Sequence, residues 1–227
     1  MRSAGTLRRT ASMVASGPMT RARVVLPIGL VWALLLVGSP AQAVDAPARL
    51  VSYGHSWPAG LGVHLPYPAR VAERRDLPMA NRAYAGDLSG DTLARVRLQP
   101  PRRSDIVTVQ TGLNDANAFG LAGLEVYRLN LWAILEETRR ARLVVLVLDQ
   151  HALRPPDYPP YDHGTAEVLQ AYRLAAREIA AAVGATVAAP ILVDPVEWQD
   201  DGMHPNGAGH RAIAAAVAQK IRRSGLH

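Results

Sequence analysis

Apolar residues along this chain recur in two rhythms, short uninterrupted runs and stretches with helical spacing. Leu50–Tyr53 is the first run; it stops at Gly54, which predicts a strand followed by a turn. Pro66–Arg75 has helical spacing, Met79–Ala83 reads as a brief strand, and Asp91–Val96 as the start of another helix. The β-branched run Ile106–Val109, between charged residues and Gly112, predicts a buried strand. Leu121–Arg140 then reads as a helix with Leu124, Leu131 and Leu135 near one face. Leu143–Leu148 is wholly aliphatic, as a strand covered on both sides requires. The proline-rich segment from Asp149 to His163 suits neither helix nor inner strand. Helical spacing resumes over Thr165–Ala182 and again from about Asn206, where Ile213, Val217 and Ile221 lie four apart. Alternation of this kind predicts an α/β domain, a three-layer α/β/α sandwich around a mainly parallel sheet. Ligands in such sheets sit at the carboxyl ends of the strands.

The first 43 residues follow neither rhythm. Arg2, Arg8, Arg9, Arg21 and Arg23 precede an apolar stretch, Val24–Val37, and small residues stand at Ala41 and Ala43. This reads as a secretory signal peptide over 1–43, cleaved after Ala43, which makes the protein extracellular. The apolar stretch contains Pro27 and Gly29 and falls short of the roughly 20 residues that span a bilayer, so no stable membrane span is expected after cleavage. Met13 and Met19 are alternative start codons. The rest, 44–227, suits a single domain, since domains cluster at about 100–200 residues.

Charge changes meaning once the leader is set aside. The whole chain has 25 Lys+Arg and 19 Asp+Glu; removing the five leader arginines leaves 20 against 19, near neutrality. Neither nucleic acid nor an acidic membrane surface is an expected partner. The absence of cysteine excludes disulfides, thiolate metal sites and a cysteine nucleophile.

Four polar clusters fall at predicted strand ends or near the C-terminus. Tyr53-Gly54-His55-Ser56-Trp57 follows the first strand, where a serine on a tight turn can present its hydroxyl and its own N–H to one space; a helix cap is the plainer role. Asn81 and Gly86 follow the Met79–Ala83 strand, where a glycine amide can donate outward. Gly112-Leu113-Asn114-Asp115 places an amide side chain at the sheet edge, suited to an oxyanion or, more plainly, to a turn. Asp200-Asp201-Gly202-Met203-His204-Pro205-Asn206 puts an acid three residues before a histidine, so Asp201 can fix the tautomer that accepts a serine proton. Metal binding competes for these last residues, although no further ligand set lies at suitable spacing.

Taken in order, the four clusters resemble the SGNH (GDSL-type) hydrolase family, over about residues 50–221. The resemblance implies the flavodoxin-like sheet of that family and a secreted serine esterase acting on carboxylic esters of lipids or O-acetylated carbohydrates. By the same resemblance the triad corresponds to Ser56, Asp201 and His204, and the oxyanion hole to Ser56, Gly86 and Asn114. Gly90 is a second possibility for Gly86. No cofactor or metal is implied, and a monomer acting on small-molecule or glycan esters is expected. The family's first block usually reads Gly-Asp-Ser, whereas His55 precedes the serine here; it is an extra base or, more simply, a packed or solvated side chain. Trp57, Tyr84 and Trp198 are candidates to line an acyl or sugar pocket, as are Tyr158 and Tyr161 unless these two cover the core. The α/β-hydrolases, the other family with such a triad, expect Gly-x-Ser-x-Gly, and Pro58 breaks that pattern. A carbohydrate-binding protein without turnover, and an acyltransferase to sugar, remain alternatives on the same fold.

Overall fold

A computed structural model describes residues 48–149, 163–192 and 196–226; the leader, Tyr158 and Tyr161 lie outside the described residues. Five strands, β1 (Leu50–Gly54), β2 (Met79–Asn81), β3 (Ile106–Gln110), β4 (Leu143–Val147) and β5 (Thr186–Ala188), form one sheet in the order β2-β1-β3-β4-β5. Every pairing is parallel, and β1 and β3 run in register from Leu50 opposite Ile106 to Gly54 opposite Gln110. This is the flavodoxin-like order, whose topological switch point, the usual ligand crevice, lies between β1 and β3. Both strands are buried at every residue, which is why their sequences are mostly apolar or β-branched; the buried Ser52 of β1 accepts from the Thr108 hydroxyl of β3 at 2.9 Å.

The helices are α1 (Ser56–Ala59), α2 (Tyr67–Arg75), α3 (Ser89–Leu98), α4 (Leu113–Phe119), α5 (Leu124–Thr138), α6 (Ala166–Val183) and α7 (Gly207–Arg223). α2 packs on α7 as one layer, while α3, α5 and α6 pack side by side as another. Val71, Ile213, Val217 and Ile221 serve the first layer; Val96, Leu131, Leu135 and Ile179 serve the second, all buried in one core with the sheet. The sandwich therefore has the three layers that the alternating pattern predicts.

Local differences have local causes. The helix expected over 121–140 is α5, which starts three residues later and ends two earlier; a 3-10 turn over Gly120–Gly123 separates it from α4, a helix the sequence pattern does not show. Gly120, at φ +54°, ends α4, and the Tyr172 hydroxyl donates to its carbonyl at 3.0 Å. β2 stops at Asn81 because the Asn81 side chain turns back to accept the Ala83 N–H. β5 has no long apolar run to announce it and is held by its pairing with β4.

Candidate active site

The serine turn begins where β1 runs out of room. At Gly54, φ is +138°, and a Cβ there would stand 1.8 Å from the Gln110 carbonyl oxygen, so only glycine lets the chain leave the sheet this close to β3. His55 then caps α1 with its ring: Nδ1 accepts the Trp57 N–H at 3.3 Å. Ser56 is the first residue of α1, and its N–H makes no hydrogen bond among the described residues, as the first amides of a helix do not.

A backbone-paired loop brings the histidine to this turn. Gln199 N–H donates to the His204 carbonyl at 2.8 Å, Asn206 N–H to the Glu197 carbonyl at 2.9 Å, and Trp198 bridges Pro205. The Gln199 side chain donates to the Leu61 carbonyl at 2.9 Å and to the Pro205 carbonyl at 3.1 Å, stapling the loop to the segment after α1. Asn206 caps α7 by accepting the Ala208 and Gly209 amides.

Held this way, His204 Nε2 stands 3.0 Å from Ser56 Oγ, and Nδ1 stands 2.6 Å from Asp201 Oδ2. Asp201 Oδ1 accepts the Met203 and His204 amides at 2.8 and 2.9 Å. Burial works to raise the Asp201 pKa, but hydrogen bonds from the His204 ring and from these two amides outweigh it, and the carboxyl lies below its usual range. An ionised Asp201 places the imidazole proton on Nδ1 and leaves Nε2 to accept the serine hydroxyl. Asp200, its neighbour, is exposed and stands apart from this chain of contacts.

The other two clusters converge on the same turn. Asn114, in the first turn of α4, donates one Nδ2 proton to the Asp87 carbonyl at 2.9 Å and keeps the second. Gly86 has φ +89° with nothing within 4 Å of a would-be Cβ, and its N–H makes no hydrogen bond among the described residues. Gly90 lies inside α3 instead. Asn81 joins this loop to α1 by donating to the Pro58 carbonyl at 2.8 Å. Asp115, buried, accepts the Ser89 amide and hydroxyl; burial raises its pKa in spite of those bonds. Its role is to fasten α3 to α4.

One expectation needs correction. Trp57 and Trp198 are only 1% and 6% exposed and meet edge to face at 5.4 Å, so they are core residues that brace the two loops. Tyr84 stays at the surface, 62% exposed, with the Arg95 guanidinium over its ring and Arg95 itself paired to Asp87. Of the readings open for His55 the packed one holds: it is fully buried and both its ring nitrogens are engaged, Nε2 against Asp149 at 3.2 Å. Sequence reasoning missed Gln199, Gln110 and Asp149. Among the described residues no group of three or more His, Asp or Glu side chains is placed to hold a metal ion.

A doubly wound parallel sheet with hydroxyl, imidazole and carboxylate in line beside its switch point defines the class, a hydrolase of SGNH architecture. The model of the GDSL-like Lipase/Acylhydrolase family matches residues 51–212, and the chain belongs to that family as an ester hydrolase. Among solved structures, its fold is similar to a lipase/acylhydrolase from Enterococcus faecalis (21% identity, 77% of this chain and 96% of that one, TM-score 0.61). It is equally similar to the psychrotrophic esterase EstA from Pseudoalteromonas sp. (18%, 80% and 100%, TM-score 0.61). The acetylxylan esterase Axe2 from Geobacillus stearothermophilus also shares it (19%, 79% and 94%, TM-score 0.58). No curated protein matches the sequence.

Proposed function

We propose that the chain is a secreted, monomeric serine esterase that cleaves carboxylic esters of lipids or O-acetylated carbohydrates through an acyl-enzyme on Ser56. The carrying observation is the continuous contact Ser56 Oγ, His204 Nε2, His204 Nδ1, Asp201 Oδ2, at 3.0 and 2.6 Å. Ser56 Oγ attacks the carbonyl carbon while its proton passes to Nε2, and ionised Asp201 stabilises the imidazolium. The carbonyl oxygen becomes an oxyanion that accepts from the Ser56 and Gly86 amides and the spare Asn114 proton. Collapse breaks the ester C–O bond, and the alcohol leaves with the proton from Nε2. Water then gives a proton to Nε2 and attacks the acyl carbon. The second collapse releases the acid and returns the proton to Ser56. Export rests on the basic and apolar leader that ends at Ala43.

The test is covalent labelling with a fluorophosphonate together with turnover of a short acyl ester. Ser56 should carry the label in the native protein, and Ser56→Ala should abolish both label and turnover while thermal unfolding stays unchanged. A fully active Ser56→Ala protein would overturn the assignment; an unlabelled, inactive native protein would favour the binding-protein alternative.

A further inference from the structure

Behind the serine turn lies a second histidine–aspartate contact. His55 Nε2 faces Asp149 Oδ1 and Oδ2 at 3.2 and 3.4 Å, and Gln110 Nε2 donates to the same Oδ1 at 2.8 Å. The Gln110 carbonyl in turn accepts the His55 N–H at 3.3 Å, which closes a ring of hydrogen bonds through the chain ends of β1, β3 and β4. His55 and Gln110 are fully buried and Asp149 nearly so. Gln110 Oε1 finds no partner among the described residues, so the amide leaves a buried acceptor unmatched while its N–H is directed at Asp149.

The two histidines hold opposite tautomers. Because His55 Nδ1 accepts the Trp57 amide, its proton sits on Nε2 and is donated to Asp149; His204 carries its proton on Nδ1. His55 has no nitrogen left for Ser56, so it is not a second base. Its ring is instead the cap of a four-residue helix whose first residue is the proposed nucleophile. Such a helix has almost no stability of its own. The direction of the Ser56 N–H and Oγ therefore depends on what anchors the cap.

We propose that His55 and Asp149 are a positioning pair that fixes the α1 turn for ester hydrolysis, so that Asp149, 94 residues downstream, sets the aim of Ser56. This rests on the function proposed above. The charged groups around the ring are Asp149 and Asp115, with Arg173 acting on Asp149 through its charge. A carboxylate at position 55 would thus face anions where the neutral imidazole now donates a proton.

Three variants separate aim from mere packing. His55→Asn keeps an N-cap acceptor for the Trp57 amide but is too short for Asp149. It should lower kcat about 10–100-fold, as a nucleophile misplaced by under 1 Å does, with KM within about twofold and the protein folded. His55→Asp sets two buried carboxylates face to face, and one must take up a proton. Read as a ratio to native activity at each pH, so that His204 protonation cancels, its activity should recover on acidification. Adding Asp149→Asn, whose Oδ1 still accepts from Gln110, should restore His55→Asp at neutral pH by about tenfold or more. The proposal fails if His55→Asn has native kcat, or if the His55→Asp ratio is flat with pH and Asp149→Asn brings no rescue. Fluorophosphonate labelling of the native protein keeps the two readings apart: labelled Ser56 with indifferent His55 variants sinks only the positioning pair.

Discussion

His210 lies in the layer between α2 and α7, fully buried, with its ring stacked on Tyr67 at 6.2 Å between centroids. Its Nδ1 accepts the Tyr67 N–H at 3.0 Å, so protonating that atom removes the bond, and Nε2 has no partner among the described residues. Burial, then the Arg70 and His204 charges, push its pKa down from 6.5 to about 4. Below pH 6.5 the unfolded chain takes up a proton at this residue and the folded chain does not, so stability falls with falling pH until about 4 and levels off beneath it. At about 1.4 kcal/mol per pH unit the loss from this single residue is ~3 kcal/mol, a large share of the 5–15 kcal/mol typical of a domain. His210→Asn removes the titration while placing Oδ1 where Nδ1 was, able to accept the same amide. Urea unfolding of both proteins at pH 7, 6, 5 and 4 isolates the effect, since the other groups titrate alike. The variant starts less stable through lost packing, and its deficit should shrink by ~3 kcal/mol on acidification. A deficit that stays constant from pH 7 to 4 would refute the reasoning.

Two further outcomes are expected. Asn114→Ala removes the proposed oxyanion donor and its tie to the Asp87 carbonyl, so kcat should drop by about 10²–10³ with KM little changed, measured by steady-state hydrolysis of a short ester. Gly54→Ala drives a methyl to 1.8 Å from the Gln110 carbonyl at a φ of +138°, so it should lose on the order of 3 kcal/mol or more in thermal unfolding, or fail to fold.

Much of the sheet is legible in the sequence, because its central strands are buried and therefore built mostly from aliphatic and β-branched residues; Ile106–Val109 and Leu143–Val147 announce themselves this way. The polar clusters stand out for the converse reason, that strand ends otherwise carry turn residues. What stays hidden is tertiary. β5 has three residues and is a strand only because β4 is beside it. α1 contains Pro58 and is closed by Gly60, so no window of sequence suggests a helix. Trp57 and Trp198 look like surface aromatics because each stands in a polar motif; their burial comes from packing on one another across 141 positions of chain. Gln199 and Asp149 earn their roles from partners at separations of 138 and 94 residues, which no local pattern encodes.

The distance along the chain between the hydroxyl and its imidazole, 148 positions, has a consequence during biosynthesis. At 5–20 residues per second, a ribosome makes the proposed nucleophile roughly 7–30 s before the base that activates it. Throughout that interval the serine is an ordinary alcohol, without a base beside it.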